Sequence, residues 1–201
     1  MGNYWARFSS RSGEIFRFDT RIYLHAVEAP KKADPCLGAI VGKNPGKAKP
    51  SKSMRGMQSI ALDGDKLLPT VRSIVSKAYE SAKSFAPVRG YIQVLNLFYL
   101  CDHESPRATR TITAMAKPPK LCESEKRKFP WVWYAWGGPS RKLDHYKMRF
   151  ANIEATRHFF LDYHLGRVTR RQPRVSEFAK HTQGLTQAPV IHAIAKFIAA
   201  G

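Results

Sequence analysis

The chain has 201 residues, 43% of them hydrophobic, and its 34 Lys and Arg outnumber 15 Asp and Glu to give a formal net charge of +19. That length suits a single domain (residues 1–201) with an ordinary core, and leaves little room for two. So large a positive excess repels itself unless an anion offsets it, and phosphate backbones are the partners whose counterions such a surface releases. DNA, double-stranded in the leading reading, or RNA is therefore the expected partner. No apolar run approaches the ~20 residues of a membrane span. The first residues also lack the apolar core of a signal peptide, so a cytoplasmic location is expected.

Residues 20–27 alternate enough to predict a strand, and the apolar run 37–42 predicts a buried strand that stops at Lys43-Asn44-Pro45-Gly46. Lys47 to Arg55 is rich in Lys, Pro and Ser without periodicity, which reads as an exposed basic loop. Asp63-Gly64-Asp65 then precedes Leu67, Leu68, Val71, Ile74, Val75 and Ala78, a helical spacing with an acidic start that suits the helix dipole. Residues 89–98 predict a second buried strand, and 101–129 leave room for a short helix around Ile112 and Met115. Residues 131–136 predict a third strand, stopped by Gly137-Gly138-Pro139, and a helix is expected within 140–163. The basic stretch 166–180 leads to a last helix over 189–200, with Val190, Ile191, Ile194, Phe197 and Ile198 on its apolar face.

Strands alternating with helices predict an α/β fold, a three-layer α/β/α sandwich around a mostly parallel sheet. In such sheets the ligand site lies beyond the carboxyl ends of the strands.

Most catalogue motifs are missing. The chain holds no Walker loop, no GxGxxG, no HExxH and no GxSxG. Cys36, Cys101 and Cys122 are odd in number and widely spaced, which offers no zinc-ribbon or iron–sulfur ligand set and suits free thiols in a reducing compartment. His164 and His181 have no cysteine or carboxylate at metal-ligand spacing. Neither Asp63 with Asp65 nor Asp102 with Glu104 makes a convincing Mg²⁺ site from sequence. No metal, no cofactor and no obligate protein partner is expected.

Four short segments carry more information. Gly42-Lys43-Asn44-Pro45-Gly46 ends the first core strand, Val94-Leu95-Asn96 the second and Ala135-Trp136-Gly137 the third, while His181-Thr182-Gln183-Gly184-Leu185-Thr186 precedes the last helix. In this order they resemble the motifs of the uracil-DNA-glycosylase superfamily. The first is similar to the Gly-x-Asn-Pro-Gly form of mismatch-specific and thymine-DNA glycosylases. The last is similar to the family's His/Asn-Pro-Ser-Gly/Pro-Leu loop, with Thr-Gln in place of Pro-Ser. The first three also resemble small uncharacterised bacterial proteins with a GxNPS…VxNLF…WG pattern. The resemblance spans roughly residues 37–190.

The resemblance implies a DNA glycosylase of that fold, which flips a base from the stack and cleaves its N-glycosidic bond. Asn44 matches the residue that orients the attacking water; its amide positions water but is a poor base. Asn96 matches the asparagine that reads the flipped base edge. His181 matches the histidine that donates to the base carbonyl as charge develops. Leu185 matches the apolar wedge that fills the emptied stack, with Gln183 and Gly184 beside it. Phe98 is a candidate to stack on the base. Met57 stands where relatives carry an aromatic, so a uracil-type sandwich is not expected. Lys47, Lys49, Lys52, Arg55, Arg170, Arg171 and Arg174 are candidate phosphate contacts.

Gly42, Lys43 and Gly46 would frame the base. Gly46 replaces the tyrosine that excludes 5-substituents in uracil-specific relatives. The expected substrate is thus thymine or a larger 5-modified pyrimidine, such as hypermodified phage cytosine, with antiviral defence as the role. A monofunctional hydrolysis leaving an abasic site is expected, since the motifs offer no obvious lysine nucleophile, Lys43 excepted. The alternatives are a DNA- or RNA-binding module that kept the fold without the chemistry, and a metal-dependent nuclease.

Overall fold

The computed structural model describes residues 1–46, 49–50, 56–115, 122–182 and 184–200, the side chain of Lys49 excepted. Lys47, Lys52, Arg55 and Gln183 lie outside the described residues.

The fold is mixed α/β, built on one nine-stranded sheet. Its strands are β1 (Gly2–Arg11), β2 (Glu14–Val27), β3 (Cys36–Gly42), β4 (Lys49–Pro50), β5 (Met57–Ala61), β6 (Tyr91–Asn96), β7 (Val132–Tyr134), β8 (His158–Leu161) and β9 (Val168–Thr169). Among the described residues four α-helices accompany them: α1 (Leu67–Ser81), α2 (Ser105–Ala114), α3 (Asp144–Met148) and α4 (Gln187–Ala199). The spatial order is β4-β5-β1-β2-β6-β3-β7-β8-β9. None of the described helices is long and apolar enough to cross a membrane.

The expectation of a mostly parallel sheet is corrected. Among the described residues only β3 with β6, β3 with β7 and β7 with β8 pair in parallel; the other five pairings are antiparallel. The difference lies in the N-terminal half. Residues 2–11 are too polar to read as a strand from periodicity, yet they pair with β2 through a tight turn at Ser12 and Gly13, both at positive φ. A turn of that hand matches the twist of a hairpin.

At the middle of the sheet, β6, β3, β7 and β8 form a parallel block. Their side chains alternate between two buried clusters. Ile40, Ile92, Val94, Trp133 and Phe159 join one with the buried faces of α1 and α4. Ala39, Val41, Leu95, Tyr134 and Phe160 join the other with Ala108, Leu143 and Phe150. Since successive strand residues face opposite sides, both faces of the block are covered by helical segments. That is why these strands read as continuous apolar runs.

Helix α1 buries Leu68, Val71, Ile74, Val75 and Ala78, the stripe its spacing predicts. Its first turn accommodates Pro69, and the Leu67 N–H donates to Asp65 Oδ1 at 2.9 Å. Helix α4 buries Val190, Ala193, Ile194, Ala195 and Phe197. The helix expected within 140–163 is corrected to α3 with a 3-10 turn on either side, followed by β8. Phe159, Phe160 and Leu161 are too short an apolar run for periodicity to separate strand from helix.

The order of visits sets the site. The chain leaves β3, adds β6 on one side, then crosses to add β7 on the other. Such a reversal opens a crevice at the carboxyl ends of the strands.

Candidate functional site

A cleft of about 1000 Å³ opens at that crevice. Lys43, Asn44, Pro45 and Gly46 line it from the end of β3, Asp102, His103 and Ser105 from the segment after β6, and Trp136 to Ser140 from the end of β7. His181, Thr182, Gly184 and Leu185 close it ahead of α4, with Gln187 at that helix's first position. Segments far apart in the chain thus meet in one place, among them residues of the first, third and fourth motif segments. Gly64, Asp65, Lys66 and Thr70 add a wall from the start of α1.

Asn44 is held by a specific bond: its Nδ2 donates to the Asp102 carbonyl at 2.7 Å. The amide nitrogen is thereby committed, which leaves Oδ1 as the acceptor. The Asp102 carboxylate is itself occupied, accepting the Glu104 N–H at 2.8 Å and pairing with Arg107 Nε at 3.0 Å.

His181 lines the cleft, and burial pushes its imidazole below its ordinary value of 6.5. The Lys43 charge pushes in the same direction, and Asp65 opposes it. A neutral imidazole keeps one N–H donor at neutral pH. Burial also lowers the Lys43 ammonium, and it lowers that of Lys147 behind the loop. Lys147 is buried, donating to the Gly138 and Val175 carbonyls at 3.1 and 2.8 Å, with its Nζ 5.9 Å from the Trp136 ring centre. Lys43 thus brings a cation to the lining, with the Lys147 ammonium behind it.

Gly46 adopts φ +71°, a backbone that favours glycine. A Cβ there would meet Asp65 Oδ2 at 3.5 Å, so the carboxylate sits just beneath this turn. Asp65 Oδ2 accepts no hydrogen bond and lies 3.6 Å from Arg17 Nη1, whose side chain is 1% exposed.

Two expected base contacts lie behind the lining. Asn96 ends β6 opposite Gly42 and is 1% exposed. A Cβ at position 42 would meet Asn96 Oδ1 at 3.0 Å, so glycine lets the two strand ends approach. Asn96 Nδ2 is buried without a partner. Its carbonyl and that of Leu97 accept from Arg149 Nη2 at 3.1 and 3.0 Å, and Arg149 Nε pairs with Glu125 at 2.8 Å.

Two other expectations are corrected. Phe98 is a core residue, 2% exposed and edge-on to Tyr146, because its side chain points into the cluster under α3. Met57 lies on β5 opposite Arg7 and takes no part in the cleft lining. Leu185 both lines the cleft and rests on the core cluster of α1 and α4.

Arg170, Arg171 and Arg174 are exposed beyond β9 and outside the cleft lining. Arg171 is engaged by Glu177 at 2.5 and 2.7 Å, which holds the Glu177 carboxyl down at about 2. The same Glu177 carboxylate accepts the Arg174 backbone N–H at 2.6 Å and is lowered further by the Arg174 charge.

Sequence reasoning missed Asp65, Asp102 and Trp136 as cleft residues. Asp65 reads from sequence as a helix start and an unconvincing metal ligand, and Trp136 as part of the third motif segment with no role of its own. Among the described residues no group of three or more His, Cys, Asp or Glu side chains is placed to hold a metal ion. In comparisons with known proteins, no family model, no curated protein and no solved structure matches the chain.

Proposed function

We propose that this protein is a DNA glycosylase that flips a modified or mismatched base into the cleft and hydrolyses its N-glycosidic bond, leaving an abasic site. The observation that carries the reading is convergence: residues from the motif loops ending β3 and β7 and from the loop before α4, with the segment that follows β6, line one cleft. The parallel block with both faces covered supports the accompanying fold reading, a uracil-DNA-glycosylase-like α/β/α arrangement.

Bond cleavage builds positive charge on the sugar and negative charge on the departing base. Asn44 Oδ1, oriented by the tie of Nδ2 to Asp102, accepts from a water on the sugar side. Neutral His181 donates to the base oxygen, and Lys43 beside it stabilises the departing anion. Leu185 at the rim fills the gap that the base leaves, offsetting part of the unstacking cost of a few kcal/mol. The formal charge of +19 supports phosphate binding.

The substrate we favour is a bulky 5-modified pyrimidine, such as hypermodified phage cytosine, with antiviral defence as the role. Gly46 leaves one wall without a side chain, and a cleft of about 1000 Å³ is far larger than a bare pyrimidine needs. The test is a set of duplexes carrying uracil, a mismatched thymine or 5-modified cytosines, each treated with alkali after incubation. Alkali-labile breaks on a 5-modified duplex support the proposal, and intact strands on every substrate contradict it.

A binding module without chemistry is the second reading. It is favoured by the one bond that already engages the Asn44 amide as a structural tie. It predicts salt-dependent DNA or RNA binding and no abasic product.

A further inference from the structure

Lys43 is the first residue beyond β3, and it lines the cleft next to Asn44. It is partly buried, yet no described carboxylate, carbonyl or hydroxyl accepts from its ammonium group. Lys147 makes the contrast, since two carbonyls hold its ammonium. A lysine kept for structure is tied in that way. A lysine kept for phosphate is usually exposed on a long solvated stem. Lys43 is neither.

The electrostatics agree with the geometry. Desolvation lowers the Lys43 ammonium, and its charge is felt by both Lys147 and His181. Desolvation is one of the usual ways to obtain a nucleophilic lysine.

We propose that Lys43 is a nucleophile toward the aldehyde of an abasic deoxyribose, which gives the protein a second, strand-cleaving activity on the product of base release. This extends the glycosylase reading and rests on it for how the abasic sugar comes to lie in the cleft. The Lys43 amine adds to C1′ of the ring-opened sugar. A C–N bond forms, the carbonyl oxygen leaves as water, and an iminium results. A C2′ proton then passes to a neutral base, for which His181 is at hand in the same cleft. The electron pair forms a C2′=C3′ double bond as the C3′–O bond breaks, and the phosphate oxygen leaves with its pair. Water hydrolyses the imine and returns the free amine. No oxidant, reductant or metal enters.

The test uses the full chain and a duplex with one preformed abasic site, so it does not depend on which base the enzyme removes. Sodium cyanoborohydride reduces an imine to a stable amine, and a covalent protein–DNA band on a denaturing gel reports it. The wild type is expected to form this band. Lys43→Arg keeps the charge but cannot form the imine, so its band should fall at least about tenfold while its affinity for the same duplex changes less than about threefold. No band from a wild type that binds the duplex overturns the proposal, as does an equal band from Lys43→Arg, which would place the imine on another amine. Base release is measured on the same preparation with the modified duplexes. Release without trapping removes the Lys43 proposal alone; neither release nor trapping removes both readings.

Discussion

The Asn44 side chain donates to the Asp102 carbonyl at 2.7 Å, joining the loop after β3 to the segment after β6. The bond fixes which end of the amide faces the cleft. It also makes Asn44 a structural residue as well as a candidate for the chemistry, and the two roles separate on substitution. Asn44→Ala should lower base release at least about a hundredfold, as removal of a preorganised hydrogen-bonding group does. Its stability should fall by only about 1 kcal/mol, the net worth of one such bond. DNA affinity should be retained. Full activity in Asn44→Ala would remove the residue from the mechanism.

His181 gives a pH prediction. Its folded value is depressed below 6.5 by burial and by Lys43. Depression means that folding disfavours the protonated form, so the stability it contributes is present above the unfolded value and is lost as pH falls through the folded one. Base release should follow the same direction. Its acid limb should lie below 6.5, and His181→Gln should slow the reaction and flatten that limb. Rate profiles over about pH 5 to 8 check this, and an unchanged limb in the variant would assign it to another group.

Arg17 and Asp65 form a buried pair under the Gly46 turn, 1% and 7% exposed in their side chains. Removing one partner of such a pair leaves an uncompensated buried charge. Asp65→Asn preserves the capping oxygen for α1 yet should destabilise by about 3–5 kcal/mol. Arg17→Met in the same chain should restore part of the loss, and a double-mutant cycle by urea denaturation measures the coupling. Additive effects would show that the two charges do not depend on each other.

Gly46→Ala tests specificity. The added methyl meets Asp65 at 3.5 Å, an ordinary contact, but φ +71° strains it. A stability loss of about 1–2 kcal/mol is expected. Base release from duplexes with bulky 5-substituents should fall more than release from duplexes with small ones. Equal losses on both would show that this turn does not face the 5-position.

Much of the site was legible because its loops follow buried strands. The runs ending at Gly42, Asn96 and Trp136 are apolar enough to read as strands, and a parallel block must put their ends together. The sheet's outer half was not legible. β1 has a polar, half-exposed pattern, and its pairing with β2 and β5 is a tertiary choice. β8 was hidden by its length, four residues of continuous burial or near-burial. Phe98 shows the limit at a single residue. A phenylalanine just past a strand end can face the cleft or the core, and only the packing of Tyr146 decides it. Asp65 and Lys147 reach the cleft neighbourhood through the fold, and no motif spacing marks either.

The proposed base removal from DNA bearing bulky 5-modified pyrimidines is read most directly as abasic-site formation in intact phage genomes. Genomes with hypermodified cytosine and genomes with ordinary cytosine are incubated with the protein and then treated with alkali. The modified genome should fragment, the ordinary one should be spared, and fragmentation should be lost with Asn44→Ala. Modified genomes that stay intact while the protein binds them would contradict the proposal.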